Sequence, residues 1–229
     1  LVSYVVRELA HEKDLHGKKV LVTAGPTQEA IDPVRYITNH STGKMGYALA
    51  EAAMLRGAEV TLISGPTAIE PPMFVNVIPI ISAQEMFEKV ATNATENDII
   101  IKAAAVADYR PKEVCDEKIK KSDHDTEIEL ERTTDILAYL GKNKGKTFLC
   151  GFSMETENML ENSRRKLDKK NLDMIVANNL KDKGAGFGVD TNLITIITRD
   201  RELQLELMSK QDAANCILDE IIRKIGNRE

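Results

Sequence analysis

The chain has no tryptophan, and aromatic residues make up only 4% of its 229 residues. A buried core must therefore be built mainly from Val, Ile, Leu, Ala and Met. Positive charge is not in excess either, because the formal net charge is −5 at pH 7 and the pI is about 5.6. Nucleic-acid binding proteins usually carry a basic face that neutralises phosphates. The sequence thus predicts no nucleic-acid partner, while a local basic pocket for one small polyanion is compatible with it.

Cysteines are few and irregularly spaced. Cys115, Cys150 and Cys216 form neither a CxxC pair nor a ligand cluster, which disfavours a disulfide framework or a zinc site. We expect reduced thiols in a cytoplasmic protein. The four histidines are scattered, and neither a Ser-His-Asp arrangement nor a pair of catalytic carboxylates is evident, so a metal hydrolase has little support.

Long apolar segments are also lacking. No apolar run reaches the roughly 18 residues of a membrane span, and no signal peptide pattern opens the chain, so no membrane partner is predicted. The first residue is Leu and residues 2–12 have a helical pattern. We therefore expect a piece of a longer polypeptide, with residues 1–16 as a linker helix from an N-terminal domain and residues 17–229 as a single domain.

Strand and helix patterns alternate at least five times, which predicts an α/β fold with a doubly wound, mostly parallel sheet. Predicted strands cover residues 18–24, 59–64, 76–80, 98–106, 147–152 and 174–178. Predicted helices cover residues 45–56, 83–95, 135–140, 155–169 and 211–225, and a hairpin joins 193–198 to 203–207. Ligands of such sheets bind outside the carboxyl ends of the strands. Gly25, Asp108, Phe152 and Asn178 are expected at that edge.

Residues 35–46 form a polar segment that leads into a predicted helix. Its Ser41-Thr42-Gly43-Lys44 is similar to the end of a Walker A loop, but Thr38 and Met45 stand where that motif requires Gly and Ser or Thr. We reject a P-loop. Two interpretations stay open: a phosphate cradle at a helix N-terminus, or a well-capped helix without a ligand.

The nicotinamide fingerprint is missing. Gly25-Pro26-Thr27 replaces GxGxxG after the first strand, and Thr61 and Ser64 lie where an acidic residue would bind an NAD ribose. A nicotinamide dehydrogenase is therefore disfavoured.

Two groups of lysines and one aspartate have open roles. Residues 112–125 predict a flexible flap, whose Lys118-Ile119-Lys120-Lys121 either closes over a polyphosphate or is a solvated charge run. Lys166, Lys169 and Lys170 either supply positive charge to a site or favour solubility. Asp108 follows the most apolar strand, where a ribose or magnesium contact competes with a simple turn role.

Several motifs together resemble one family, phosphopantothenate-cysteine ligase in its bacterial, CTP-dependent form. In that form the ligase is the C-terminal half of a bifunctional coenzyme A biosynthesis protein. The match covers nearly the whole chain. The motifs are Gly25-Pro26-Thr27, residues 32–35, residues 37–46, residues 103–111, Lys118-Ile119-Lys120-Lys121, Gly151-Phe152 and residues 170–178.

The resemblance implies a Rossmann-like fold and a ligase that joins 4′-phosphopantothenate to L-cysteine. The substrate carboxylate would attack the α-phosphorus of CTP, forming an acyl-cytidylate and releasing pyrophosphate, and the cysteine amine would then displace CMP. Mg²⁺ would accompany CTP. No flavin is expected in this chain, because the flavin-dependent decarboxylase belongs to the N-terminal half of the family's proteins.

The resemblance also implies roles for individual residues. Asn39 would hold the acyl-cytidylate, Arg35 would support the same stretch, and Lys118 would be the flap lysine that reaches the reacting phosphates. Asp108 would contact the nucleotide and its magnesium ion. The CTP site would comprise Lys102, Ala103, Ala104, Asp108, Lys118, Thr134, Asp135, Ile136, Leu137, Phe152, Lys166 and Lys170. Substrate would bind Asn39, Ser41, Gly43 and Ala104.

The family is dimeric, so the resemblance suggests a homodimer in which the Asn39 segment reaches a shared site. One departure concerns Ser153-Met154, which replaces a pair of small residues after Gly151-Phe152 and alters the expected base pocket. Two other hypotheses stay open. One is a non-catalytic nucleotide-binding module that docks a partner enzyme through residues 2–15, and the other is a nicotinamide reductase on the same fold.

Overall fold

The computed structural model describes residues 1–121, 127–155, 157–179 and 186–226. Its strands are β1 (Lys19–Ala24), β2 (Gln28–Ala30), β3 (Tyr36–Thr38), β4 (Glu59–Ser64), β5 (Asn76–Pro79), β6 (Ile99–Lys102), β7 (Tyr109–Pro111), β8 (Leu130–Arg132), β9 (Phe148–Glu155), β10 (Met174–Asn179), β11 (Thr191–Asn192), β12 (Ile194–Thr198), β13 (Glu202–Gln204) and β14 (Met208–Ser209). Its helices are α1 (Val2–Leu9), α2 (Lys44–Leu55), α3 (Ala83–Asn93), α4 (Ile136–Asn143), α5 (Met159–Lys169) and α6 (Lys210–Gly226). Within these ranges, no helix has the length and apolar character needed to cross a bilayer.

Eight strands form one sheet in the order β13-β12-β10-β9-β6-β1-β4-β5. The six strands from β10 to β5 are parallel, and their order along the chain is the 3-2-1-4-5-6 order of a Rossmann-like sheet. Strand β12 pairs antiparallel with β10, and β13 pairs antiparallel with β12, so the two extend the sheet beyond β10 as a hairpin. The predicted fold class is therefore confirmed, including the C-terminal β-hairpin.

Strand β1 lies in the middle of the parallel strands and is buried on both faces. Val20 pairs with Val60 of β4 and with Ile99 of β6. Val20 packs into the core beneath α2 and α6, whereas Leu21 packs into the core beneath α3, α4 and α5. Successive side chains of a strand point to opposite faces, so one apolar run serves both layers. Both cores consist mainly of aliphatic side chains, as the lack of tryptophan requires.

The ends of two helices follow the signals in the sequence. Ser82 Oγ accepts a hydrogen bond from the Glu85 N–H at 3.2 Å, as in a capping box. The Glu85 carboxylate accepts from the Ile81 N–H at 2.7 Å, one residue before the cap. Gly57 has a φ of 90° just after α2. Glycine tolerates this left-handed conformation, which explains why the helix ends there.

Three predictions of secondary structure were inaccurate. The strand expected over residues 98–106 covers only Ile99–Lys102. The helix expected from residue 155 begins at Met159, because β9 runs on to Glu155 and pairs there with β10. The short hairpins β2-β3 and β7-β8 were not predicted as pairs. Their strands are three residues long, too short for a periodic apolar pattern. Of the strand expected over residues 126–131, the structure has Leu130–Arg132 in β8, and residue 126 lies outside the described residues.

Helix α1 lies on the outside of the domain, and none of its residues is buried. Its aromatic contact joins Tyr4 edge-on to Phe74, with the ring centroids 4.8 Å apart. The packed domain begins soon after this helix. Leu15 is only 1% exposed, and Asp14 forms an ion pair with Arg56 at 2.5 Å.

Candidate active site

The carboxyl ends of β1 and β6 lie side by side where the strand order of the sheet reverses. The chain leaves β1 through Gly25, whose φ is 74°, and Pro26 forms a bridge with Ala105 beyond β6. A cavity of about 140 Å³ lies at this edge. Among its lining residues are Ser41, Gly43, Ala103, Ala104, Phe152 and Asn178. The predicted edge residues Gly25, Phe152 and Asn178 are thus where the topology was expected to place them.

The loop before α2 lines this cavity. Gly43 is the N-cap residue, with a φ of 81°, and no side chain caps the helix. Ser41 Oγ instead accepts from the Gly43 N–H at 3.3 Å. A Cβ atom on Gly43 would lie 2.7 Å from Thr67 Cγ2, so only glycine fits without a shift. Because no side-chain cap takes up the N–H groups of the first turn, this geometry favours the phosphate cradle over the capped helix.

Three side chains near this loop form hydrogen bonds with residues 186–191, a segment that lies beside the cavity. Thr42 Oγ1 donates to the Phe187 carbonyl at 2.7 Å, and Lys44 Nζ pairs with Asp190 at 2.7 Å. Lys210 is nearly buried and donates to three backbone carbonyls of the same segment. Lys44 therefore binds protein groups, and its position does not make it a free phosphate ligand.

Asn39 follows β3 and reaches across to the chain beyond β6. Its Nδ2 donates to the Ala105 carbonyl at 2.9 Å. Its Oδ1 is buried and has no hydrogen-bond partner among the described residues. A buried acceptor without a partner costs free energy. The structure therefore leaves the predicted catalytic amide with one oriented atom available to a ligand.

Asp32 is the centre of the loop between β2 and β3, and its side chain is fully buried. Its carboxylate accepts from the Val34 and Arg35 N–H groups, both at 2.8 Å, from Arg35 Nε at 3.0 Å and from the Ile119 N–H at 3.1 Å. The hydrogen bond from the Arg35 side chain, followed by those from the backbone, holds the pKa of Asp32 well below its usual range. We call this arrangement the Asp32 clamp.

The clamp includes the predicted catalytic Arg35, and it also fixes the predicted flap next to Lys118. The Arg35 guanidinium also donates to the Ile119 carbonyl at 3.0 Å. Ile119 is therefore held at both its N–H and its carbonyl, directly after Lys118, whose side chain is exposed. The loop is tethered again where the Cys115 N–H donates to the Ile31 carbonyl at 3.0 Å. Residues 122–125 of the predicted flap lie outside the described residues.

Lys102, Lys166 and Lys170, three of the residues predicted for the nucleotide site, come together at the ends of β6 and α5. Lys166 Nζ lies 3.3 Å from Glu155 Oε1, and Lys170 Nζ lies 2.8 Å from Asp135 Oδ2. Lys166 and Lys170, together with two further basic residues of α5, Arg165 and Lys169, line a cleft of about 260 Å³. We call it the lysine cleft.

Lys102 has an altered acidity. Burial, followed by repulsion from Lys170, lowers the pKa of Lys102 to about 8, although Asp135 and Asp108 oppose the shift. A protonated Lys102 is therefore a cation that lacks sufficient counter-charge. An anionic ligand in the lysine cleft would supply that charge.

The remaining predicted nucleotide residues fall into different surroundings. Asp135 caps α4 by accepting from the Ala138 N–H at 3.0 Å, and Thr134 before it is exposed. Ile136 and Leu137 are 2% and 4% exposed, so their side chains belong to the core and only their backbone is available to a ligand. Phe152 lines the cavity beside Ala103 and Ala104, whereas the lysine cleft lies next to it.

Asp108 is exposed at the same edge, directly before β7. Its carbonyl accepts from the Thr133 N–H at 3.0 Å, which extends the pairing of β7 with β8. Its carboxylate has no ion pair within the described parts of the chain. Those parts also contain no cluster of three or more His, Cys, Asp or Glu residues that could hold a metal. A lone carboxylate fits a magnesium ion that arrives with substrate phosphates, since Mg²⁺ often binds through one or two carboxylates.

A larger cavity, of about 790 Å³, lies at the opposite edge of the sheet. Its lining includes Lys18, Asp98 and Phe148, which mark the amino ends of β1, β6 and β9. Ligands of doubly wound sheets bind at the carboxyl ends. Position in the fold, rather than size, therefore selects the smaller cavity and the lysine cleft as the candidate site.

A family model for the DNA/pantothenate metabolism flavoprotein C-terminal domain matches residues 15–225. The chain belongs to this family. The coenzyme A biosynthesis bifunctional protein CoaBC of Bacillus subtilis (strain 168) is 53% identical over 225 residues, which are 96% of this chain and 55% of that protein. The chain thus spans about half the length of this relative. The resemblance inferred from the motifs is confirmed at the level of the family.

Solved structures agree with this fold. The crystal structure of the C-terminal domain of a CoaBC protein has a TM-score of 0.82 and 45% identity, and the match covers 94% of this chain and all of that domain. A Cab2 mutant, H337A, in complex with phosphopantothenate-cysteine has a TM-score of 0.76 at 17% identity and covers 97% of this chain and 92% of that one. At that identity the second likeness supports the fold alone.

Several residues that shape this site had no predicted role. Asp32 belonged only to the motif of residues 32–35, although an Asp-Pro pair signals a turn in which the carboxylate accepts backbone N–H groups two and three residues on. Lys210 and Asn192 carried no local signal, because their importance comes from contacts with segments distant in sequence.

Proposed function

We propose that the chain is a ligase that joins 4′-phosphopantothenate to L-cysteine through an acyl-cytidylate, using CTP and releasing pyrophosphate and CMP. One observation carries the proposal: the cavity and the lysine cleft are neighbours. Ser153 lines the cavity, and its Oγ lies 3.3 Å from the Nζ of Lys166, which lines the cleft. A carboxylate held in the cavity and a nucleotide held in the cleft would therefore lie close together. The name of the B. subtilis relative, a coenzyme A biosynthesis protein, supports the same function.

The chemistry suits a site without a protein nucleophile. In the first step a carboxylate oxygen of 4′-phosphopantothenate bonds to the α-phosphorus of CTP, and the bond to pyrophosphate breaks. In the second step the amine of cysteine bonds to the acyl carbon, the bond to the CMP oxygen breaks, and the nitrogen loses a proton. Both steps gain from positioning and from neutralised charge.

Individual residues have distinct parts in this scheme. Lys102, Lys166 and Lys170 neutralise the triphosphate, and Lys118 approaches it from the loop that the Asp32 clamp fixes. The free oxygen of Asn39 orients the acyl-cytidylate, so that cysteine attacks its acyl carbon. Arg35 acts through the clamp and not by direct contact. Ser41 and Gly43 bind the phosphate of 4′-phosphopantothenate.

Magnesium would arrive with CTP and would lower the negative charge on its phosphates when bound. Asp108 would hold it, because its exposed carboxylate stands at the nucleotide edge. We further propose that the chain acts as a homodimer in the cytoplasm and that the longer protein carries an N-terminal decarboxylase domain. The share of the relative that the chain leaves unmatched has room for such a domain.

The decisive experiment measures pyrophosphate released from CTP, with and without 4′-phosphopantothenate, and amide formed after cysteine is added. We expect release that depends on 4′-phosphopantothenate. A folded protein that releases none would contradict the ligase and favour a non-catalytic module, and oxidation of a nicotinamide would favour the reductase.

Two variants separate the half-reactions. Lys118→Gln should slow acyl-cytidylate formation by at least tenfold, because it removes a cation that faces the phosphates. Asn39→Asp should form the intermediate but convert it slowly to amide. Rapid-quench measurements with radiolabelled CTP resolve both steps. Lys112→Gln, which alters an exposed lysine of the same loop paired with Glu129 at 2.8 Å, is the matched control and should change neither.

A further inference from the structure

The cavity contains a buried amide that no part of the proposed chemistry uses. Asn178 lies in β10, is only 4% exposed, and lines the cavity. Its Nδ2 donates to Asn192 Oδ1 at 2.9 Å. Its Oδ1 is buried and has no hydrogen-bond partner among the described residues. The amide is therefore oriented by one bond and left with a free acceptor.

The partner of Asn178 is itself fixed. Asn192 is 3% exposed and its Nδ2 lies 3.7 Å from Met45 Sδ, a weak acceptor at the start of α2. This contact sets the orientation of the Asn192 amide, and with it that of Asn178. A buried acceptor that is held in one orientation and left unpaired costs roughly 1–3 kcal/mol. A ligand that donates to Asn178 Oδ1 would remove this cost.

The surroundings define what that ligand must look like. Several of the side chains around the cavity are apolar, including those of Met45, Phe152, Met154 and Phe187, and Ser41 and Gly43 of the phosphate cradle line the same cavity. A fitting ligand therefore has an anionic end, an aliphatic body and one buried donor. The 4′-phosphopantothenate molecule has these features, because its phosphate is followed by a dimethyl carbon, a hydroxyl and an amide N–H.

We propose that Asn178 is the specificity residue for the pantothenate arm, and that its Oδ1 accepts a hydrogen bond from the hydroxyl or the amide N–H of that arm. The inference rests on the proposed function, because it assumes that the phosphate of the same molecule occupies the cradle. It extends the site from the reacting carboxylate to the arm of the substrate. Asn192 is then a positioning residue, which acts through Asn178.

Binding of 4′-phosphopantothenate and of CTP, each measured alone by calorimetry, tests the proposal. Asn178→Leu replaces the amide with an apolar side chain of similar size. We expect the Kd for 4′-phosphopantothenate to rise about tenfold or more, since the donor of the arm then stays unpaired, whereas the Kd for CTP is unchanged. Asn215→Leu is the matched control. It alters another asparagine with an unpartnered buried Oδ1, on α6 and outside the lining of the cavity, and should change neither Kd.

Analogues of the substrate identify the donor. One lacks the hydroxyl and the other has a methylated amide nitrogen. Wild type should bind one of them about tenfold more weakly than the parent, and Asn178→Leu should bind that analogue and the parent equally. Asn178→Ser, which is too short to reach the arm, should behave as Asn178→Leu does and serves if the leucine variant does not fold.

The outcomes separate this inference from the proposed function. Equal binding of 4′-phosphopantothenate by wild type and by a folded Asn178 variant would overturn the inference and leave the ligase standing. Wild type that binds no 4′-phosphopantothenate would overturn both. A parallel loss of CTP binding in Asn178→Leu and Asn178→Ser would show a general structural role and also overturn the inference.

Discussion

Lys102 is a cation at the end of a buried strand, and its acidity links the site to pH. Since burial lowers its pKa to about 8, the free protein loses this charge in a range where ordinary lysines keep theirs. A bound nucleotide stabilises the protonated form. Nucleotide affinity should therefore fall as the pH rises through 8.

We predict that the affinity for CTP falls about tenfold between pH 7 and pH 9, because one proton is linked to binding in this range. Lys102→Met should bind more weakly at pH 7 and lose this dependence. Calorimetric titrations at constant ionic strength measure both. A wild-type affinity that is flat across this range would contradict the role of Lys102.

The sign is opposite for the stability of the unliganded protein. The unfolded chain has a lysine pKa near 10.4 and binds the proton more tightly than the folded protein, whose Lys102 pKa is about 8. The contribution of this group to the free energy of unfolding thus rises with pH between those two values. Comparing wild type with Lys102→Met in urea at pH 8 and pH 10 isolates it.

At the residue scale, the sequence indicated the chemical type of the site residues better than it indicated the surroundings of their side chains. Lys166 and Lys170 lie together at the lysine cleft, because residues four positions apart share one face of a helix. Phe152 lies in the cavity, and the side chains of Ile136 and Leu137 lie in the core. Which face of a strand or helix turns toward a ligand depends on packing between distant segments, and a local motif does not encode it.

At the scale of elements, the Asp32 clamp joins two loops that are more than eighty residues apart, with Ile119 as the point of contact. We predict that Asp32→Asn accelerates amide hydrogen exchange at Ile119 and slows acyl-cytidylate formation by about tenfold to a hundredfold, because Lys118 loses its fixed base. Nuclear magnetic resonance and rapid quench measure the two effects. Asp200→Asn, at an exposed pair with Lys224, is the control and should change neither.

A double variant tests whether Asp32 acts through Lys118. Asp32→Asn should have little further effect on the first step in a Lys118→Gln background, because the cation it positions is already gone. Full additivity would instead indicate a separate role.

The low pKa of Asp32 means that the clamp persists from neutral pH to below the usual aspartate range near 3.9, and that its contribution to stability is lost only as the pH falls through the folded pKa.

The long elements were predictable and the short ones were not. β1, β4 and α2 have apolar runs or helix signals that span several residues, and each was predicted close to its observed bounds. The hairpin β2-β3 has only three residues in each strand, and it is stabilised by partners elsewhere, such as the bond from Thr38 Oγ1 to the Thr27 carbonyl at 2.8 Å. Such an element depends on tertiary contacts, so its own sequence does not predict it.

At the scale of the whole molecule, the boundary of the domain can be tested by truncation. Removing residues 1–11 should lower the free energy of unfolding by no more than about 1 kcal/mol, since α1 contributes an aromatic contact and an exposed cation–π contact, both with Phe74, and no buried residue. Removing residues 1–16 should cost roughly 2–5 kcal/mol, because it deletes the buried Leu15 and leaves Arg56 without Asp14.

Urea denaturation of the two truncated proteins measures this difference. Equal stability of both would contradict a packed role for residues 13–16 and would support the boundary at residue 16 predicted from the sequence.

The order of the sheet, by contrast, followed from the alternation of strands and helices. Right-handed crossovers leave few arrangements for such a chain.

The three thiols of the molecule differ in a way that offers a practical probe. Burial raises the pKa of Cys150, and burial also raises the pKa of Cys216, whereas Cys115 is exposed. A maleimide dye at neutral pH should therefore attach first to Cys115, without any engineered cysteine. That thiol lies three residues before Lys118, so the unaltered chain can carry a fluorescent reporter on the loop that we propose approaches the nucleotide.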